Sequence, residues 1–157
     1  MIELPPWANV LVLVIVANSA PWMASRWLSR RWSAPVDGGS VLADGTRVLG
    51  DHKTWRGITA AMLACGLVAL LLGYSLLLGA AFGLLALLAD AASSFVKRRL
   101  RLSPGTEVPG LDQLPEALVP ALVLSKHLHI GLAEVVAISV TFLVLNLAVV
   151  RLRLRRD

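Results

Sequence analysis

Long apolar runs, separated by short basic clusters, constrain this chain more than any other feature of its sequence. Runs with few or no charges cover residues 4–24, 58–72, 76–88 and 114–150. A bilayer core takes a helix of roughly 20 apolar residues, with about 17 to 25 tolerated. Hydrophobic residues make up 57% of the chain and charged residues 16%. The first fraction is higher and the second lower than in soluble domains, as is typical of membrane proteins with several spans. The sequence therefore predicts a single membrane domain, residues 1–157.

The basic residues indicate how often the chain crosses the membrane. Fourteen of the fifteen Lys and Arg residues fall in three clusters, within 26–56, 97–101 and 151–156, and basic clusters favour the cytoplasmic face. Five spans place all three on one face, whereas four would leave the last outside. We predict an all-α integral membrane protein of the cell (inner) membrane, with its N-terminus outside and its C-terminus cytoplasmic. The predicted spans are about 4–25, 57–73, 76–96, 114–128 and 131–150, and the two cytoplasmic polar loops that form the active site are 26–56 and 97–113.

The first cytoplasmic loop carries an unusual segment, from Val36 to Gly57. It interleaves three aspartates with Gly38, Gly39, Gly45 and Gly50, and it ends in Lys53-Thr54-Trp55-Arg56 before Gly57. Glycines allow the backbone to approach an anion closely, and basic residues beside aspartate suit a phosphate with its metal. The Gly-Lys-Ser/Thr order of a Walker loop is absent from the sequence. Spacing alone leaves two interpretations open, a phosphate site and a solvated linker.

Asp90 is the most informative single residue, because it lies in the otherwise apolar stretch 80–92. An ionised carboxylate inside a membrane is costly, so it is a candidate functional residue by default. Positions 90, 94, 97 and 101 share one helical stripe, which reads Asp, Ser, Lys, Arg. A structural salt bridge is the alternative. Function is favoured because the stripe would face the same side as the first loop.

Asp112 follows two Pro-Gly turns and comes just before the fourth predicted span. It could act as a helix N-cap or as a second metal carboxylate, and the two roles are not exclusive.

These residues together resemble a known family, the CDP-archaeol synthases, which are membrane CTP:lipid-phosphate cytidylyltransferases related to CDP-diacylglycerol synthases. The resemblance extends over nearly the whole chain. An Ala89-Asp90 pair replaces the Gly-Asp that is usual in the family, and the Arg-, Ala- and Leu-rich composition with a short tail resembles a bacterial member. The matching pieces are Asn18 with Pro21, Pro35-Val36-Asp37-Gly38-Gly39, Asp44-Gly45-Thr46-Arg47-Val48-Leu49-Gly50, Lys53-Thr54-Trp55-Arg56-Gly57, Asp90, Ser94-Phe95-Val96-Lys97-Arg98-Arg99-Leu100, Pro104-Gly105, Gly110-Leu111-Asp112-Gln113-Leu114-Pro115 and Asn146.

The resemblance implies a five-helix fold with a pocket that faces the cytoplasm. It implies a Mg²⁺-dependent enzyme that transfers CMP from CTP to a lipid phosphate, archaeol phosphate-like or phosphatidic acid-like, and releases pyrophosphate. CTP and the lipid phosphate are the expected partners, a homodimer is compatible with the family, and nucleic acid is not expected. Two other functions stay open, a non-catalytic lipid-binding protein and a small transporter that uses Asp90.

The expected site residues fall into groups by role, all implied by the resemblance together with the charges. The expected catalytic residues are Asp90, Lys53, Arg56, Lys97 and Arg98. The expected metal ligands are Asp90 and Asp112. The expected CTP-binding residues are Asn18, Asp37, Asp44, Lys53, Thr54 and Arg56, with Lys53 and Arg56 on the triphosphate. The expected lipid-phosphate residues are Lys97, Arg98 and Arg99.

Overall fold

A computed structural model describes residues 4–29, 31–103, 106 and 108–154, without the side chains of residues 150 and 152–154. The described residues fold into six helices, and the predicted all-α class is confirmed. The helices are α1 (Pro6–Leu28), α2 (Trp55–Leu71), α3 (Leu76–Arg99), α4 (Gln113–Val123), α5 (Ser125–Leu128) and α6 (Leu132–Leu154).

Helices α2 and α3 form a tight hairpin, because small residues let their backbones meet. A Cβ added at Gly79 would lie 2.3 Å from the carbonyl oxygen of Cys65, and one at Gly83 would lie 2.6 Å from that of Ala61. Glycine is thus required on α3 wherever α2 crosses it, as in other closely packed membrane helices. Gly73, at φ +87°, makes the turn, and the hydroxyl of Ser75 caps α3 by accepting from Leu78 N at 3.2 Å.

The core lies among α1, α2, α3, α4 and α6, and nearly all of its side chains are apolar. Phe82 of α3 is its largest fully buried side chain. Because the opposite faces of these helices keep exposed Leu, Val and Trp, the bundle presents an apolar exterior. The fully buried apolar residues of these five helices are Val10, Leu13, Val14, Ala17, Ala61, Cys65, Ala69, Phe82, Ala86, Ala117, Pro120, Ala121 and Val135.

Within the part of the chain that the structure describes, three helices are long and apolar enough to cross a membrane: Pro6–Leu28, Leu76–Arg99 and Leu132–Val149. Helices α2 and α4, with 17 and 11 residues, are apolar but shorter. The five-span topology therefore stays a prediction. The helices also differ from the predicted spans at their ends, since α3 continues past residue 96 to Arg99 and places the basic cluster on a helix.

Helix α4 contains two prolines. Pro115 lies in the first turn, where a missing N–H costs nothing, but Pro120 lies inside the helix and cannot donate to the preceding turn. Helix α4 ends at Val123, and one further turn, α5, leads to His129 in the left-handed conformation.

Candidate active site

A cavity of about 300 Å³ opens between the two polar loops, at one end of the bundle. Its wall combines four basic side chains with three carboxylates and several neutral polar groups. Such a lining suits a strongly anionic ligand that carries or recruits a cation. The lining residues are Asn18, Leu49, Gly50, His52, Lys53, Asp90, Ser94, Lys97, Arg98, Thr106, Asp112, Gln113, Glu116 and Asn146.

Lys53 and Asp90 form an ion pair within this cavity. Lys53 lies two residues before α2, and Asp90 lies in the second half of α3. Because the hairpin is antiparallel, the start of α2 faces the end of α3. Both side chains keep about a fifth to a quarter of their surface exposed, at 24% for Lys53 and 20% for Asp90. The ammonium and the carboxylate are both accessible to a ligand.

Lys97 and Asp112 form a second ion pair, at 2.6 Å between Nζ and Oδ1. The ammonium also donates to the carbonyl oxygen of Thr106 at 3.2 Å. Asp112 occupies the N-cap position of α4, but its side chain makes no capping hydrogen bond and accepts instead from Val108 N at 3.0 Å. Its carboxylate therefore orders the second loop and faces the cavity, in place of the capping contact considered from the sequence.

The stripe predicted on α3 reaches the cavity in part. Asp90, Ser94 and Lys97 all line it, whereas Arg101 is exposed, beyond the end of the helix, with φ +57°. Arg98 lines the cavity as well, and its guanidinium donates to the carbonyl oxygen of Ser103 at 2.9 Å.

Asp37 organises the first loop and does not line the cavity. Its carboxylate accepts from the backbone N–H groups of Leu49 and Gly50, at 3.0 and 3.3 Å, and from Arg47 Nη2 at 2.9 Å. Burial raises the pKa of this carboxyl, but the backbone donors and Arg47 more than offset it and lower the pKa to about 2. Asp37 thereby fixes the turn that carries Leu49 and Gly50 into the cavity wall.

Asp44 and Arg99 also lie outside the cavity lining, and they link the loop to the end of α3. Arg99 Nη1 contacts Asp44 Oδ2 at 3.1 Å, and Arg99 Nη2 donates to the carbonyl oxygen of Arg47 at 2.9 Å. Hydrogen bonds from the side chain and the backbone N–H of Thr46 lower the pKa of Asp44. The first loop is therefore held over the cavity by α3.

Thr54 and Arg56 anchor the start of α2. The Thr54 hydroxyl caps α2 by accepting from Gly57 N at 3.2 Å. The guanidinium of Arg56 is buried and donates to the carbonyl oxygens of Ser29 and Arg31, at 2.7 and 2.9 Å. Arg56 therefore lies outside the cavity lining and binds the end of α1, although the sequence predicts a triphosphate contact.

Glu116 is the functional candidate that sequence reasoning misses. Its side chain lines the cavity although the residue is only 8% exposed. In the sequence it reads as an ordinary acid in the first turn of a helix, a position that the helix dipole favours. Gln113 and Asn146 were expected only as family positions, and the structure joins them by a hydrogen bond of 3.2 Å across the same wall.

The carboxylates suit a hard cation that arrives with its substrate. Among the described residues no group of three His, Cys, Asp or Glu side chains converges as a metal cage. Mg²⁺ commonly uses one or two protein carboxylates and completes its octahedron with phosphate oxygens and water. Asp90, Asp112 and Glu116 present oxygen ligands of this kind to one cavity, so the residues fit such an ion.

A second space of about 220 Å³, among α1, α2 and α3, adjoins the polar cavity. The two share five lining residues, including Asn18, Lys53 and Asp90. The rest of its wall is largely apolar, with Pro21, Ile58, Leu87, Leu88 and Ala91 among its residues. A ligand that places an anionic group in the polar cavity would thus have an apolar space of the protein directly beside that group. Fold and site define a protein of apolar helices with a charged cavity that adjoins an apolar space.

Comparison with known proteins identifies the family. The profile of the CarS-like family, CDP-archaeol synthase, matches residues 31–155, so the chain belongs to the CDP-archaeol synthase family, and the resemblance expected from the sequence is confirmed. A CDP-archaeol synthase of Pyrobaculum arsenaticum is 32% identical over 90% of each chain. That of Thermofilum pendens is 43% identical over 63% of this chain, and that of Aeropyrum pernix 44% over 68%.

A solved structure, described as an intramembrane enzyme for archaeal membrane lipid biosynthesis, has the same fold. It is 37% identical, with a TM-score of 0.71 and 90% coverage of both chains. Together with the apolar helices, this likeness makes the chain an integral membrane protein.

This chain matches a different share of the length of each relative. This chain spans about half of the Thermofilum relative, at 51%, and 62% of the Aeropyrum one. The family supports the expected class, a CTP-dependent nucleotidyltransferase. These relatives are archaeal, so they lend no support to the resemblance to a bacterial member.

Proposed function

We propose that this protein transfers CMP from CTP to a membrane lipid phosphate and forms a CDP-lipid and pyrophosphate in a Mg²⁺-dependent reaction. The observation that carries this proposal is the pairing of two lysines with two cavity carboxylates, Lys53 with Asp90 and Lys97 with Asp112, beside an apolar space. Membership of the CDP-archaeol synthase family supports the same reaction.

The chemistry explains why so many charges converge. A lipid phosphate oxygen attacks the α-phosphorus of CTP, a new P–O bond forms, and the bond to the β-phosphate breaks as pyrophosphate leaves. The nucleophile is already anionic at neutral pH, so no general base is required. The remaining task is to bring two polyanions together, by positioning and charge neutralisation. Mg²⁺, when bound, would supply part of that neutralisation.

The residues divide this task by position. Lys53 and Lys97 can exchange their carboxylate partners for phosphate oxygens, and Arg98 presents a further cation to the same cavity. Asp90 and Asp112 are the proposed metal carboxylates. Asn18 lies where the polar cavity meets the apolar space, a position suited to the junction between the phosphates and the lipid.

The remaining expected residues are proposed to act through the loop. Asp37 and Asp44 fix its shape, and Arg99 holds it to α3. Thr54 and Arg56 fix the start of α2, directly after Lys53. Their contribution to CTP and lipid binding is therefore one of positioning. The active face is proposed to be cytoplasmic, where CTP is available. The expected homodimer stays a prediction.

The proposal can be tested with purified protein in detergent, α-labelled CTP and Mg²⁺. Separate reactions would offer phosphatidic acid and an ether-linked archaeol phosphate analogue. We expect a CDP-lipid and one pyrophosphate for each turnover, and the ratio of rates identifies the preferred lipid. Lys53→Ala should raise the KM for CTP more than that for the lipid. Lys126→Ala, outside the cavity lining, is the matched control. Lipid binding without any CDP-lipid would favour a non-catalytic lipid-binding protein.

A further inference from the structure

We infer that Glu116 and Asp90 form a two-carboxylate seat for a divalent cation, and that the Lys53 ammonium occupies this seat until the cation displaces it. The inference rests on the proposed function and adds a residue and an exchange step to it. Glu116 is thereby assigned as a cation ligand, and Lys53 changes partner when the cation binds.

The surroundings of Glu116 carry the first step. The residue is 8% exposed and lines the polar cavity. Among the described residues, no N–H group donates a hydrogen bond to its carboxyl, whose hydrogen-bond partner is the carboxyl of Asp90. Two carboxyls in direct contact repel each other when both are ionised, and a cation bound between them removes that cost. Its position therefore indicates a cation that Glu116 shares with Asp90.

Lys53 supplies the positive charge in the free protein. Its ammonium is paired with Asp90 and also attracts Glu116 electrostatically. The other cavity cations are engaged elsewhere, since Lys97 pairs with Asp112 and Arg98 donates to the Ser103 carbonyl. The Lys53 ammonium is therefore the positive charge that neutralises Asp90 and Glu116 in the free protein.

Lysine suits an exchangeable role. Its ammonium is a compact charge on a flexible four-carbon stem, and it can turn to a new acceptor without backbone movement. A divalent ion between Asp90 and Glu116 repels the ammonium and satisfies both carboxylates. Lys53 lies at the same cavity wall, so the released ammonium can reach a phosphate oxygen. Cation binding and triphosphate binding by Lys53 are thereby coupled.

The coupling predicts that Lys53 competes with the cation when no nucleotide is present. Removing the lysine should therefore tighten cation binding even though it damages catalysis. A lysine that only binds CTP would leave cation affinity in the nucleotide-free protein unchanged.

The test measures Mn²⁺ binding to the full chain in detergent by electron paramagnetic resonance, without CTP and in alkaline buffer, where protons compete least. Mn²⁺ accepts the same oxygen ligands as Mg²⁺. We expect Lys53→Met to bind Mn²⁺ about tenfold or more tightly than the wild type. Adding Glu116→Gln to Lys53→Met should reverse the gain by a similar factor. Unchanged or weaker binding by Lys53→Met would overturn the exchange, and a double variant that keeps the gain would overturn the role of Glu116.

Two controls separate this result from misfolding and from failure of the proposed reaction. Glu134→Gln removes an acid that accepts from Gly131 N, outside the cavity lining, and should leave Mn²⁺ affinity unchanged. Glu116→Asp keeps a carboxylate and should retain more affinity than Glu116→Gln at an equal apparent Tm. The wild-type assay for CDP-lipid tests the reaction independently, because synthesis can be present whether or not Mn²⁺ affinity responds to Glu116.

Discussion

Lys53 and Asp90 lie 37 residues apart in the sequence and form an ion pair in the polar cavity. The pair exists because α2 and α3 are antiparallel and closely packed, so that the loop before α2 meets the last turns of α3. Arg99 reinforces the same approach by binding Asp44 and the Arg47 carbonyl. The geometry of the hairpin therefore determines the geometry of the proposed site.

Replacing Asp90 tests the central carboxylate. Asp90→Asn preserves shape but removes the charge that pairs with Lys53 and is proposed to bind the cation. We expect CTP-dependent CDP-lipid formation to fall by about 100-fold or more, because the loss of one preorganised electrostatic group has effects of this size. The apparent Tm in detergent should stay close to that of the wild type. Asp51→Asn is the matched control, since that side chain is 79% exposed and should keep full activity. Normal turnover of Asp90→Asn would refute the metal assignment.

Three glycines of the α2–α3 hairpin differ in how closely the facing helix approaches them. In a helix, Gly→Ala gains about 1 kcal/mol in propensity, but overpacking typically costs about 1–3 kcal/mol. An added Cβ would approach the nearest backbone oxygen to 2.3 Å at Gly79, 2.6 Å at Gly83 and 3.2 Å at Gly66. We expect the loss of apparent Tm to decrease in that order, with Gly66→Ala near neutral. Activity should follow the same order, because the Lys53–Asp90 contact depends on this packing. Equal stability of all three variants would contradict the close approach.

Arg56 should matter for stability more than for CTP binding. Its guanidinium satisfies two backbone carbonyls, of Ser29 and Arg31, and hydrogen bonds to charged groups contribute about 1.5–3 kcal/mol. We expect Arg56→Ala to lower the apparent Tm clearly, and Arg56→Lys to be intermediate because it keeps the charge with fewer donors. In the protein that remains folded, the KM for CTP should change less than in Lys53→Ala. A large KM effect at unchanged Tm would restore the direct triphosphate contact.

Much of the site could be predicted because membrane sequences restrict where charge is allowed. Asp90 is conspicuous in an apolar run, and Lys97 lies on its helical stripe. The basic clusters indicated that both loops lie on one face. Those two inferences together bring Lys53, Asp90, Lys97 and Asp112 into one region, where the structure places them.

The division between cavity residues and supporting residues could not be predicted. Asp37 and Arg56 look like phosphate-site residues in the sequence, but a loop that folds on itself needs the same donors and acceptors that a phosphate does. Only three-dimensional contacts reveal that their partners are backbone groups. Glu116 is hidden for the opposite reason, because an acid in the first turn of a helix is common.

Asp37 makes the stability of the loop depend on pH in a defined range. Its folded-state pKa, about 2, is lower than the ordinary value of 3.8, so its stabilising effect is complete above about pH 4 and is lost as pH falls toward 2. We expect Asp37→Asn to lower the apparent Tm at neutral pH, and the difference from the wild type to shrink between those two values. Thermal unfolding of both proteins across this range measures the effect. A difference that stays constant down to pH 2 would show that the charge of Asp37 is not its source.

The prediction of five crossings is compatible with the contacts at the polar end of the bundle, although α2 and α4 are short. Helix α2 is about 25 Å long and α4 about 16 Å, against a bilayer core of about 30 Å. Yet Arg99 at the end of α3 contacts Asp44 in the loop before α2, so both ends of the hairpin lie on one side. Gln113 at the start of α4 likewise bonds Asn146, late in α6. Helix α2 therefore leads away from the polar end and α3 returns to it. Helix α4 likewise leads away and α6 returns.

Cysteine labelling tests this topology directly. The background variant is Cys65→Ala, which removes the buried native thiol. Single cysteines then replace Asp51 or Lys126, and a membrane-impermeant maleimide is added to one side of the membrane or to the other. Five spans predict that Asp51→Cys and a tag after residue 157 react from the cytoplasm, and that Lys126→Cys reacts from outside. Asp90→Cys, lining the cavity between the loops, should be protected from the outside reagent. Labelling of Asp51→Cys and Lys126→Cys from the same side would refute the five-span topology, because an even number of passages would then separate the two positions, whereas five spans place three passages between them.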